Sequence, residues 1–325
     1  MKNIFTSLLI LSLSIVLYSC GGDSNSDNNG TEKQAVSSLK TTEETVNING
    51  VPHFIKKIGE GEPLLVLHGG PGLFHDYLVK HFEKLATKYQ VVFYDQRGCG
   101  KTIFPKDTSS ITMSIFIEDL EEIRKHLKIE KLNLIGHSWG GILAVNYGKK
   151  YPNNLNKLML ISPGPSTSAY FDETFNNMQG RRSDDDTKLI IQSMMSKEFE
   201  DRDPETFKKT VMLNDKVNLV KQETVEELYA PITFTKENAN NLLLVSSMME
   251  KNFFDYNITD GIEVVKCPTL VLIGDLDNVP FLSAQLLSES LPNSQLEAIK
   301  SACHYPFFET PKEFNHIMFD FLKQK

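Results

Sequence analysis

A glycine-flanked serine between a short apolar run and a helical pattern constrains this chain more than any other feature. Residues 131–135 read as a strand and 141–149 as a helix, and between them lies Gly136-His137-Ser138-Trp139-Gly140. Such a turn leaves no room for side chains at positions 136 and 140, and it lifts the serine hydroxyl above the edge of the sheet. The helix that follows points its N-terminus at the same spot, where partial positive charge favours a developing oxyanion. The segment therefore predicts a local architecture and a chemistry together: strand, sharp turn and helix, with Ser138 as a nucleophile.

A serine hydroxyl attacks only when a base takes its proton and an acid orients that base. Around a turn of this kind the partners follow in the order Ser, Asp or Glu, His, each after a late strand. Residues 269–273 form one such apolar run, followed by Gly274-Asp275-Leu276-Asp277. Asp277, three residues past the glycine, lies where the loop can turn a carboxylate toward a histidine; Asp275 is the alternative. The last strand reads as 295–300, and His304 follows in Ser301-Ala302-Cys303-His304-Tyr305-Pro306. His304 is the expected base, because His137, flanking the nucleophile, is badly aimed for it and reads as a packed neighbour.

The tetrahedral intermediate needs two converging backbone N–H donors. Trp139, directly after the nucleophile, supplies the first. The second is expected from the loop after the strand at 64–68, which runs His68-Gly69-Gly70-Pro71-Gly72. Gly70 is the candidate, since a glycine lets the backbone approach a substrate closely while Pro71 stiffens the loop.

At these residues the chain resembles the proline iminopeptidase family of α/β-hydrolases, which includes the tricorn-interacting aminopeptidases. His68-Gly69-Gly70-Pro71-Gly72 is similar to the family's oxyanion motif, and Asp95-Gln96-Arg97-Gly98-Cys99-Gly100 to its D-Q-R-G-x-G segment. Gly136-His137-Ser138-Trp139-Gly140-Gly141 resembles its nucleophile elbow, and the stretch from His304 to Glu309 its histidine loop. The resemblance runs from about residue 45 to the C-terminus, strong in the core and weak across the middle. It implies Ser138 as nucleophile, Asp277 as orienting acid, His304 as base, and Gly70 and Trp139 as oxyanion donors. Two departures stand out: Gly274-Asp275-Leu276-Asp277 where Gly-Arg-Tyr-Asp is frequent, and Cys303 where a glycine is usual.

Aminopeptidases of this family hold the substrate's free amino group with carboxylates from a cap. An ammonium entering a partly dry pocket must meet negative charge or suffer a large desolvation cost. By resemblance Glu250, in Met249-Glu250-Lys251-Asn252-Phe253, is one such carboxylate, and Glu226 or Glu227 is a candidate second. Solvated helix-surface glutamates are the competing reading for all three.

From about residue 45, strands and helices alternate, opening with a hairpin around Asn49-Gly50. After residue 163 the rhythm changes to helical stretches, which hold six of the ten methionines and several phenylalanines. The expected fold is α/β, an α/β-hydrolase with a mostly parallel central sheet. Its core comprises 45–163 and 263–325, and a helical cap of 164–262 is inserted between core strands, some of its Met and Phe lining an apolar pocket. A formal net charge of −8 offers no basic footprint for nucleic acid.

The N-terminus is of another kind. Lys2 precedes an apolar run at 4–17 that is short for a membrane span and ends in Leu17-Tyr18-Ser19-Cys20. This resembles a bacterial lipoprotein signal, 1–19 being removed and Cys20 lipidated, with a Gly/Ser/Asn/Asp-rich flexible tether over 20–44. A plain secretory signal is the alternative. Cys99, Cys267 and Cys303 remain, an odd set that reads as free thiols, and no spacing suggests a metal.

The expectation is an exported serine aminopeptidase, lipid-anchored to a cell-envelope membrane on its periplasmic or surface face. It would release an N-terminal proline or small hydrophobic residue from short peptides with a free N-terminus, through an acyl-enzyme and with no cofactor. A carboxylesterase or amide hydrolase on the same scaffold is the nearest alternative, and a silent peptide-binding lipoprotein a more distant one. Dehalogenase and epoxide hydrolase chemistry is disfavoured, because those relatives usually carry aspartate where Ser138 stands.

Overall fold

The computed structural model describes residues 39–250 and 256–324. The expected signal and Cys20 lie outside the described residues. An antiparallel hairpin opens the fold, β1 (Thr41–Ile48) against β2 (Val51–Ile58). Its turn residues Asn49 and Gly50 both take positive φ, 46° and 78°, as tight two-residue hairpin turns demand. Residues 41–44, expected to belong to the tether, therefore belong to β1. Residues 41–45 show no apolar alternation because β1 is an edge strand exposed at that end. It is held by ladder pairing and by ion pairs of Glu43 with Lys56 and Glu44 with Lys57.

The core continues through β3 (Pro63–Leu67), α1 (Asp76–Ala86), β4 (Gln90–Tyr94) and α2 (Met113–His126). It then passes through β5 (Leu132–His137), α3 (Trp139–Lys150) and β6 (Leu155–Ile161). Helices follow: α4 (Ala169–Gly180), α5 (Asp184–Met194), α6 (Lys197–Glu200), α7 (Pro204–Asp215), α8 (Val225–Tyr229) and α9 (Lys236–Met249). Among the described residues between β6 and β7 there is one isolated bridge, Thr167 with Asn257, and no strand. The chain then returns through β7 (Thr269–Gly274), α10 (Phe281–Ser290), β8 (Ser294–Ile299), α11 (Pro306–Glu309) and α12 (Pro311–Lys323).

Eight strands form one sheet in the order β1-β2-β4-β3-β5-β6-β7-β8, parallel from β4 onward. Its central strands are buried on both faces, so they read as continuous apolar runs. Leu65 and Leu67 pack on the α2/α3 side, and Leu64 and Val66 on the side of α1 and α12. Helix phase matches this: α2 begins after Thr112, whose hydroxyl caps the Ile115 N–H, and it turns Phe116, Leu120 and Ile123 inward.

Topology places the site. The chain steps from β3 outward to β4 and then back across β3 to β5. The loops leaving the C-terminal ends of β3 and β5 therefore diverge over one crevice, the usual ligand position in an open α/β sheet. Loops after β7 and β8 arrive at the same edge. No helix among the described residues is long and apolar enough to cross a membrane.

Candidate active site

Ser138 stands between β5 and α3 with φ 54° and ψ −121°, a conformation that costs a non-glycine residue about 1–3 kcal/mol. Neighbouring backbone enforces it. A Cβ at position 136 would lie 2.3 Å from the Gly140 carbonyl oxygen, and one at 140 would lie 2.5 Å from that of Leu67. Both glycines are thus required by close approach, on the helix side and the strand side respectively.

His304 Nε2 lies 2.9 Å from Ser138 Oγ, and its Nδ1 lies 3.0 and 3.1 Å from the two oxygens of Asp277. Asp277 also accepts the Val279 N–H at 3.0 Å. Asp275, the alternative acid, is exposed and engages Ile299 only through its backbone. Burial alone would depress the His304 pKa. The Asp277 charge and hydrogen bond outweigh it, helped by Asp215 and Glu309, and hold the imidazole above its ordinary value. Burial likewise opposes ionisation of Asp277, and its contacts with His304 win there too, keeping its pKa low.

Gly70 and Trp139 line the same cavity as Ser138. Gly70 has φ 129°, open to glycine alone among ordinary residues, and no acceptor among the described residues takes its N–H. The Asp95–Gly100 segment braces this loop. Trp139 Nε1 donates to Gln96 Oε1 at 2.8 Å, Gln96 Nε2 donates to the His68 carbonyl at 2.9 Å, and the Gln96 N–H donates to His68 Nε2 at 3.0 Å. Burial pushes His68 down to about 4, so it stays neutral and can accept.

The cavity over Ser138 measures about 340 Å³, near the lower end of the roughly 300–1,000 Å³ usual for ligand pockets. Phe171, Phe175 and Met178 of α4 form part of its apolar wall with Ile142 and Val279. Only Met178 of the six cap methionines lines it, the others packing elsewhere or, for Met195, lying exposed. Cys99 and Cys303 are buried free thiols and are not among the described residues lining the cavity.

Neither expected amino-group carboxylate lines this cavity. Val225, Leu228 and Tyr229 occupy the buried face of α8, so Glu226 and Glu227 point to solvent. Glu250 caps the C-terminus of α9, half-buried, outside the cavity lining. The carboxylate in the wall besides Asp277 is Asp215, the last residue of α7, which no motif marked. It accepts from Tyr305 Oη at 2.6 Å, Tyr229 Oη at 3.0 Å and Asn218 Nδ2 at 2.8 Å. All three donors are neutral, so its charge is not cancelled by them. No lysine or arginine appears among the described lining residues.

Residues 62–311 match the α/β hydrolase fold family. The chain is 30% identical over 277 residues to a proline iminopeptidase from Saccharolobus solfataricus, covering 82% of this chain and 86% of that one. In structure it resembles a proline iminopeptidase from Mycobacterium smegmatis, with TM-score 0.66 and 20% identity over 86% of this chain and 97% of that one. It also resembles an esterase from Exiguobacterium antarcticum, with TM-score 0.64 and 20% identity over 87% and 100%. At that identity the structural likenesses speak to fold alone.

Proposed function

The chain belongs to the proline iminopeptidase family of α/β hydrolases, and we propose that it is a serine aminopeptidase releasing an N-terminal proline or small hydrophobic residue from short peptides. Ser138 attacks the carbonyl as His304 takes its proton, and Asp277 holds the imidazole in the required tautomer. The N–H groups of Gly70 and Trp139 receive the oxyanion. His304 then protonates the leaving amine, and water repeats the sequence on the acyl-enzyme. The same sequence reading supports export and anchoring through Cys20.

The observation that carries the aminopeptidase choice is Asp215. A negative charge at a helix C-terminus opposes the helix dipole, and two tyrosine hydroxyls and an amide are spent on keeping this one in the wall of an apolar cavity. Arg182 feels the Asp215 charge from outside the lining, so within the cavity a protonated amine beside the scissile carbonyl gives that charge a partner, whereas an uncharged ester gives it none there.

Hydrolysis of prolyl and alanyl arylamides, acetyl-prolyl arylamide and a short-chain p-nitrophenyl ester tests the choice. Asp215→Asn should lower kcat/KM for the free amines by about 10–100-fold, the worth of one charged hydrogen bond, and leave the ester within about threefold. Equal loss on amine and ester, or wild-type turnover of the acetylated substrate, would move the function to the esterase alternative.

A pH profile follows from the same charges. His304 must be neutral to act as base, and its pKa is raised, so the acid limb of kcat/KM should lie above the ordinary histidine value of 6.5. Asp215 contributes to that elevation, so Asp215→Asn should move the limb to lower pH. An acid limb at or below 6.5 in the wild type, measured with the ester to avoid titrating the substrate, would contradict the electrostatics.

A further inference from the structure

Beneath the triad, two buried side chains that take no part in the chemistry join the loops that do. The Gly69 N–H donates to Tyr77 Oη at 2.8 Å, Tyr77 Oη lies 2.7 Å from His137 Nδ1, and His137 Nε2 lies 3.0 Å from the His304 carbonyl oxygen. Tyr77 comes from α1 and His137 from the last position of β5. Each is 2% exposed.

The direction of this chain is settled by its ends. A carbonyl oxygen only accepts, so His137 Nε2 must carry a hydrogen. Burial pushes His137 down to about 3, so the ring is neutral and Nδ1 is a bare acceptor. Tyr77, whose phenol burial keeps protonated, therefore donates to Nδ1 and uses a lone pair to accept from Gly69. Every buried polar group in the series is satisfied in one direction only, from the oxyanion loop through the elbow to the loop of the base.

We propose that Tyr77 and His137 are a positioning pair that sets the Gly69-Gly70 loop in register with His304, so that oxyanion donor and base meet at Ser138 together. Ring packing supports it: His137 lies 5.1 Å from His304, 5.3 Å from Tyr305 and 5.1 Å from Phe307 between ring centroids, so aromatic neighbours hold the ring plane, and the hydrogen bonds to Tyr77 and the His304 carbonyl fix which nitrogen faces which. A virtual Cβ on Gly69 would sit 3.0 Å from Tyr77 Oη and 3.2 Å from both His137 Nδ1 and Ser138 Cβ, so the loop is seated directly on the pair. This role rests on Ser138 being the nucleophile and is independent of whether an amide or an ester is cut.

The test compares Tyr77→Phe, His137→Leu and His137→Gln with wild type, using prolyl arylamide and ester turnover and the rate of Ser138 labelling by a fluorophosphonate. Tyr77→Phe and His137→Leu should lower kcat and slow labelling together by about 10–100-fold, the scale of a misplaced reacting group, with KM within about twofold. His137→Gln, whose amide can donate to the His304 carbonyl, should recover most of the loss. Wild-type kcat and labelling in folded Tyr77→Phe would overturn the proposal, since a purely structural contact would alter melting temperature alone. Tyr77→Phe removes one oxygen and carries the test by itself if His137→Leu does not fold. Absence of labelling in the wild type would instead indict Ser138 as nucleophile.

Discussion

Ser138→Ala is expected to reduce kcat on prolyl arylamide by about a million-fold while leaving the protein folded. Alanine meets the same positive φ as serine, so the elbow's strain is unchanged and no contact but that of Oγ with His304 is lost. Without Oγ there is no proton for His304 Nε2 to take and no atom to form the acyl bond. Triad members act as a unit, so this one deletion removes nearly everything the triad supplies, and the oxyanion donors and binding leave about a thousandfold over water. Fluorophosphonate labelling should vanish and the melting temperature should match wild type. A purified variant retaining more than about 1% of wild-type kcat would mean that another group is the nucleophile and that the cavity over Ser138 is not where the bond is cut.

Residues whose work is done by local backbone were legible in the chain. Ser138, Gly136 and Gly140 serve a turn that only such a pattern can make, and the clashes at positions 136 and 140 lie within a few ångströms of the motif itself. Gly70 is of the same kind. Choosing Asp277 over Asp275 needed only loop reach, and the hydrogen bonds to His304 fall on Asp277.

Asp215 was not legible, because its meaning comes from residues far off in sequence. Tyr229 is 14 positions away and Tyr305 is 90. By local preference an aspartate ending a helix is a misfit, and nothing nearby says that two hydroxyls will come to hold it. Glu227 lies outside the cavity for the opposite reason: the resemblance suggested a charge from that region, but the phase of α8 gives its inner face to Val225, Leu228 and Tyr229. Tyr77 and His137 show a third case. His137 was read as a packed neighbour, which describes its surroundings, but the direction of its hydrogen bonds depends on loops after β3 and β8 that meet only in the folded sheet.

Asp277→Asn should lower kcat by about ten-thousand-fold, and its signature differs from that of Asp215→Asn. His304 Nδ1 needs an acceptor for its hydrogen, and both oxygens of Asp277 lie within 3.1 Å of it. The Val279 N–H also requires an acceptor from this side chain. An asparagine that satisfies Val279 with its one oxygen turns its NH₂ toward His304, so Nδ1 becomes the acceptor and the hydrogen moves to Nε2. That places N–H, not a lone pair, against Ser138 Oγ, and the base cannot take the proton. Because the fault is a tautomer, amide and ester turnover and fluorophosphonate labelling should all fall together, with KM little changed. Asp215→Asn, by contrast, should spare the ester. Both substitutions remove a charge that raises the His304 pKa, so both should carry the acid limb of the residual activity to lower pH. A loss of less than about tenfold in Asp277→Asn would show that some other group orients His304, and exposed Asp275, two residues back on the same loop, would be the next to substitute.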